Sequence, residues 1–143
     1  MSKLVFETIV GEPNETDMKV LVDGMLSYHA SKGHPRKVDK YSITIKNEQG
    51  KLVGCVMVSV LWNGMEINSL WVDETMRGQG LGAKLMVMAE DEGRKHGADF
   101  AYTNTFTWQA PGFYEKLGYT LYGKLENFPA GNELSYYRKH LAK

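Results

Sequence analysis

Apolar residues recur along this chain with two periods, and the switches between them mark out its elements. Leu4 to Val10 alternates and predicts an opening strand. Pro13-Asn14 changes the rhythm, with Asn14 placed to cap a helix and Asp17 three residues on. Met18, Leu21, Val22, Met25, Leu26 and His29 follow at helical spacing on one face, until Gly33-His34-Pro35 stops the helix. Tyr41 to Lys46 reads as a strand and Asn47 to Gly50 as a turn. Leu52 to Trp62 is a long strand apolar on both faces, as expected where each side is covered. Asn63-Gly64 is the preferred pair for a two-residue hairpin turn, so Met65 to Val72 is predicted to return antiparallel.

After a glycine-rich stretch, Leu81, Leu85, Met88 and Ala89 line one side of a helix that Gly97 ends. Ala98 to Phe106 suits a strand. Gln109 to Leu117 is a short helix, its start limited by Pro111 and Gly112 and its end set by Gly118. Tyr119 to Leu125 and Glu133 to His140 are the last strands, joined by a loop containing Phe128-Pro129-Ala130-Gly131. The expected order is strand, helix, three strands, helix, strand, helix, two strands. That describes a mixed α/β fold, a central sheet of about six to seven strands with helices on both faces. A length of 143 residues suits one domain over 1–143, and no repeat, linker or low-complexity tract interrupts it.

Composition narrows the partners. Seventeen basic and seventeen acidic residues cancel, leaving no global field to draw in nucleic acid or an anionic membrane. No apolar run reaches the roughly 18 residues of a membrane span, and the N-terminus lacks the apolar segment of a signal peptide. A cytoplasmic protein is expected. The single cysteine, Cys55, excludes an internal disulfide and a Cys-based metal cluster, and His29, His34, His96 and His140 are scattered without metal spacing. No metal is expected. Cys55 reads as a small apolar residue of the central strand rather than as a nucleophile.

The candidate chemistry sits in Arg77-Gly78-Gln79-Gly80-Leu81-Gly82-Ala83, between a strand and a helix. A glycine-rich turn at a helix start leaves N–H groups unpaired and uncovered, and the helix dipole adds positive potential, so a phosphate is the natural ligand. The spacing is neither the G-x-G-x-x-G of dinucleotide folds nor the G-x-x-x-x-G-K-[ST] of P-loops. It resembles the pyrophosphate loop of the GNAT acetyltransferase superfamily, [QR]-x-x-G-x-[GA], matched by Arg77, Gly80 and Gly82. Phe113, Tyr114, Gly118 and Tyr119 match a second family segment, F-Y-x-x-x-G-[FY]. With the order of elements, the resemblance spans nearly the whole chain.

The resemblance implies acetyl transfer from acetyl-CoA to a primary amine of a small molecule or peptide, by direct attack in a ternary complex. It implies a pyrophosphate held by Arg77 to Ala83. Arg77 reads either as a contact to that group or as a brace for the loop. In the family the fourth strand splays from the fifth, and the pantetheine arm would pair with backbone near Leu70, Trp71 and Val72. Tyr114 matches the tyrosine that protonates the leaving thiolate, and it also reads as a packing residue. Glu66 lies eleven positions before Arg77, the separation of base and glycine loop in histone acetyltransferases of the superfamily. On a regular strand Glu66, Asn68, Leu70 and Val72 share one face and Ile67, Ser69 and Trp71 the other. Glu66 reads equally as an exposed residue beside the Asn63-Gly64 turn. Many members carry an Asn seven residues before the tyrosine. Here that position is Thr107, and Asn104 is the nearest substitute. Tyr28, His29, Phe106, Trp108, Glu126 and Phe128 are expected to line the acceptor pocket, where aromatic walls and a carboxylate suit a cationic amine. Homodimers are common in the family, and no edge or patch of the sequence is assigned to such a contact. A non-catalytic acyl-CoA sensor or interaction domain is the alternative reading.

Overall fold

The computed structural model describes residues 3–141. They fall into two units, one ending at Arg36 and one beginning at Lys37. In the first, helix α1 spans Glu15–Ser31. Asn14 caps it as its position predicts, its Oδ1 accepting from the Asp17 N–H at 2.8 Å. Lys19 and Asp23, one turn apart, form an exposed ion pair. Residues 3–9 have no regular secondary structure, so the strand expected over Leu4 to Val10 is not formed. Alternating residues become a strand only where another strand takes up their backbone hydrogen bonds.

The second unit carries six strands in the order β1-β2-β3-β4-β6-β5. They are β1 Val38–Lys46, β2 Leu52–Leu61, β3 Gly64–Val72, β4 Phe100–Phe106, β5 Thr120–Glu126 and β6 Glu133–His140. All neighbours are antiparallel except β3 and β4, which helix α2, Leu81–Lys95, connects in parallel. Helix α3, Pro111–Lys116, joins β4 to β5. The expected boundaries hold to within three residues.

The hairpin turn sits one residue earlier than expected. Leu61 pairs with Gly64, leaving Trp62 and Asn63 as the loop, with Trp62 at φ 53°. Gly64 serves packing instead, since a Cβ there would come 2.6 Å from the Phe100 ring.

One cluster holds the unit together. Val56, Val58 and Val60 of β2 meet Met65 and Ile67 of β3, Ala101 of β4, and Leu85, Met86 and Ala89 of α2. Met86 takes the buried place expected for Met88, which is 44% exposed. Tyr114, Tyr119 and Tyr137 extend the same cluster, so both helices feed it. The opposite face of β2 is more open than its composition suggests, with Met57 about half exposed.

At the C-terminal half of α2 the packing closes completely. Gly93 lies so near the sheet that a Cβ would stand 2.3 Å from Met65 Sδ, and Met65 is fully buried. Tyr41 donates its hydroxyl hydrogen to the Ala89 carbonyl. Glu90 is buried, accepting from the Tyr119 hydroxyl and the Lys139 ammonium, each at 2.8 Å. A carboxylate is stable at that depth because both partners are present, and removing either would strand a charge.

Candidate active site

At the other end of the same helix the sheet opens. β3 and β4 are paired only through Gly64–Phe100, Met65–Ala101 and Glu66–Tyr102. Beyond that the Thr103 hydroxyl donates to the Ile67 carbonyl at 3.1 Å, a side chain standing in for the ladder. The strands then part, and the gap widens into a cavity of about 840 Å³.

A bulge in β3 shapes this gap. Val58 faces Ile67 and Met57 faces Ser69, so Asn68 is an extra residue without an opposite number. The bulge reverses the alternation expected from a regular strand. Met65 and Ile67 point to the core before it, opposite Val60 and Val58. Leu70 and Val72 point to the same core after it, opposite Val56 and Gly54. Glu66 therefore does not share a face with Leu70 and Val72, but stands with Ser69 and Trp71 on the other side. The apolar positions 65, 67, 70 and 72 carry the signal: a step of three where a strand steps by two.

The glycine loop closes the wide end of the cavity. Asp73 starts the turn by accepting from the Thr75 N–H and hydroxyl, which hold its carboxyl below its ordinary range. A single 3-10 turn, Glu74–Met76, leads into the loop. Gly78 at φ 81° and Gly80 at φ 74° adopt the left-handed conformation that only glycine enters without strain. The first intrahelical bond of α2 runs from the Lys84 N–H to the Gly80 carbonyl. The N–H groups of Leu81, Gly82 and Ala83 precede it and fall outside the helical pattern. Arg77 donates from Nε to the Val72 carbonyl at 3.1 Å and so braces the loop against β3. Gly82 has a steric reason: a Cβ there would press on the Phe113 ring at 3.3 Å.

Leu70, Trp71, Val72, Arg77, Gly78, Gly80, Leu81, Gly82, Ala83, Asn104, Phe106, Trp108 and Tyr114 all line the cavity, whereas Gln79 does not. Tyr114 is 8% exposed, its ring edge-on to Tyr119 and Phe113. Burial raises its pKa, against a smaller lowering effect of the neighbouring Thr103 hydroxyl. Its phenol thus holds its proton through the neutral range. Asn104 lies on the cavity wall, while Thr107 is engaged elsewhere, accepting from the Glu133 N–H at 2.8 Å. Thr103, Thr105 and Gln109 also line the cavity. Nothing in their spacing singles them out. Gln109 accepts from the Phe106 N–H at 2.7 Å and fixes the turn after β4.

Glu66 is half-buried at the apex, the last β3 residue paired to β4, and is not part of the cavity wall. Asn68 Nδ2 donates to Glu66 Oε1 at 3.2 Å. Of the residues expected at the acceptor, Phe106 and Trp108 are stacked at 4.8 Å, and Phe128 meets Phe106 edge-on at 5.6 Å. Glu126 is exposed at the end of β5 opposite Glu133. Tyr28 and His29 belong to the last turn of α1 in the other unit, with the Lys32 ammonium 5.6 Å from the centre of the Tyr28 ring.

A left-handed glycine loop at a helix start, beside two parallel strands that part, is the architecture the family resemblance implies. The profile of the acetyltransferase (GNAT) family matches residues 14–119, and the chain belongs to that family. It is similar to a blasticidin-S acetyltransferase of Streptomyces morookaense, 35% identical over 67% of this chain and 71% of the relative. An acetyltransferase of Agrobacterium fabrum is 33% identical over 85% of this chain and 88% of its own length. The crystal structure of an acetyltransferase from Bacillus cereus, 28% identical, superposes with a TM-score of 0.83 over 94% of this chain and 98% of that one. No helix among the described residues is long and apolar enough to cross a membrane.

Proposed function

We propose that this acetyltransferase is an N-acetyltransferase using acetyl-CoA, with the donor lying in the gap between β3 and β4. One observation carries the reading. Beyond Glu66 the edge of β3 that faces β4 has no partner strand, and this stretch lines the same cavity as the buried Tyr114 and the glycine loop. An extended pantetheine arm suits those backbone groups, and the N–H groups from Gly78 to Ala83 suit the pyrophosphate. An N–H of β3 near Leu70 would polarise the thioester carbonyl as charge develops on its oxygen. Asn104 is the wall residue available to the arm.

In this reading the acceptor amine loses a proton toward Glu66, directly or through water, and attacks the thioester carbon. The carbon–sulfur bond breaks, and the thiolate takes the Tyr114 proton. Tyr114 and Glu66 lie on opposite faces of the sheet, so donor and acceptor would meet through the gap. The acceptor is a small-molecule amine seated against the cluster of Phe106, Trp108 and Phe128, in which the exposed Trp108 and Phe128 favour a cation or a flat group. Both units belong to one catalytic domain, consistent with a family match that runs across their boundary.

Thiol release from acetyl-CoA tests this, with blasticidin S, polyamines, aminoglycosides, amino acids and Lys-containing peptides as acceptors. Saturable release with one class is expected. Acetyl-CoA binding by calorimetry without release for any amine would favour a sensor over an enzyme.

A further inference from the structure

Across the open face of the sheet, strand register places Lys40, Ser59, Glu66, Tyr102 and Arg138 in one row from β1 to β6. Adjacent strands are about 4.8 Å apart, so Lys40 and Arg138 stand roughly 10 Å to either side of Glu66. Neither cation makes a contact with it. Its one hydrogen-bond donor among the described side chains is Asn68, the bulge residue. Asn68 is held in turn by Ser59, whose hydroxyl donates to Oδ1 at 2.8 Å.

The chemistry of this chain has one direction. A carboxylate only accepts, so the Asn68 amide must turn its NH2 toward Glu66. That leaves its oxygen toward Ser59, which must donate. We propose that Ser59 and Asn68 are positioning residues for the acceptor-side chemistry. Together they hold the Glu66 carboxylate toward the apex of the gap. The proposal rests on Glu66 being the base. It assigns the bulge a second task, because on a regular strand residue 68 would be drawn into the ladder opposite β2. Tyr102 from β4, with Tyr122 from β5 beyond it, also faces this row, and its phenol is raised by burial and by the Glu66 charge. It stays protonated where Glu66 is an anion and so does not compete for the proton.

Two measurements test the relay. In the protein without ligands, the Asn68 side-chain amide resonance should move with pH. That movement should vanish in Glu66→Gln and shrink in Ser59→Ala. With blasticidin S, or the panel amine of highest turnover, as acceptor, Asn68→Ala should lower kcat/KM about tenfold and Ser59→Ala about threefold. In both, the acidic limb of the pH–rate profile should change, and in Ser59→Ala, which lies outside the cavity wall, acetyl-CoA affinity should be unchanged. Ser59→Thr keeps the hydroxyl and should restore the limb. An acidic limb that changes in Glu66→Gln but not in Asn68→Ala or Ser59→Ala overturns the relay alone. A limb unchanged in Glu66→Gln removes the base, and the relay with it. An amide resonance indifferent to pH excludes the hydrogen bond itself.

Discussion

The two ends of helix α2 face the same sheet and do opposite things. At the C-terminal end, Gly93 lets the helix touch Met65, and Tyr41, Tyr119 and Lys139 engage the Ala89 carbonyl and the buried Glu90 carboxylate. At the N-terminal end, two left-handed glycines leave N–H groups uncovered, and β3 and β4 stop pairing. Closure supplies the stability that allows the other end to remain unsatisfied. Tyr119 and Tyr114 show the contrast in miniature. Both are buried phenols with rings 5.7 Å apart, yet one donates its hydrogen to Glu90 and the other faces the cavity.

Substitutions at each end should separate folding from chemistry. The largest effect is expected from Gly93→Val, which overfills the closed end and should lower unfolding free energy by about 3 kcal/mol in denaturant melts. Tyr114→Phe should lower kcat about a hundredfold while calorimetry finds acetyl-CoA affinity nearly unchanged. Equal turnover would leave Tyr114 a packing residue. Tyr119→Phe should do the reverse, costing about 2 kcal/mol of stability by leaving Glu90 with one partner, at unchanged kcat. Gly80→Ala meets no neighbour within 4 Å, so its cost is conformational. It should weaken acetyl-CoA binding about fivefold, with a small fall in Tm.

The last effect is absent at neutral pH. Burial raises the phenols of Tyr41, Tyr114 and Tyr119 above their ordinary value of 10.0. Above pH 10 the unfolded chain therefore loses protons that the fold retains. Their contribution is complete below pH 10 and falls as pH rises beyond it. Thermal melts from pH 9 to 11 should show an accelerating drop in Tm that Tyr119→Phe reduces.

Most elements were legible because their periods are clean: the Asn14 cap, the α2 helix and the paired strands all follow from local chemistry. The glycine loop was legible for the same reason, since its conformation is a property of Gly78 and Gly80 themselves. What was not legible depends on partners distant in sequence. Leu4 to Val10 alternates like a strand but has no ladder to join. Gly64 and Gly82 look like turn residues, and only Phe100 and Phe113 explain them. The bulge at Asn68 moved Glu66 to the opposite face from Leu70, and the three-residue step from Ile67 to Leu70 was its one local trace. Thr103 and Gln109 gain their place at the cavity from the parting of two strands, which no single strand encodes.

The contact between Gly82 and Phe113 has a mechanical consequence. Helix α3 has six residues and no side-chain cap, too short to be stable alone. Its seat is set partly by the ring of Phe113 lying against the first turn of α2, and Tyr114 is the next residue along. A ligand that tightens the glycine loop therefore also steadies the phenol, and whatever displaces the phenol loosens the loop by the same free energy. The glycine loop and the Tyr114 phenol are geared together through one missing methyl group.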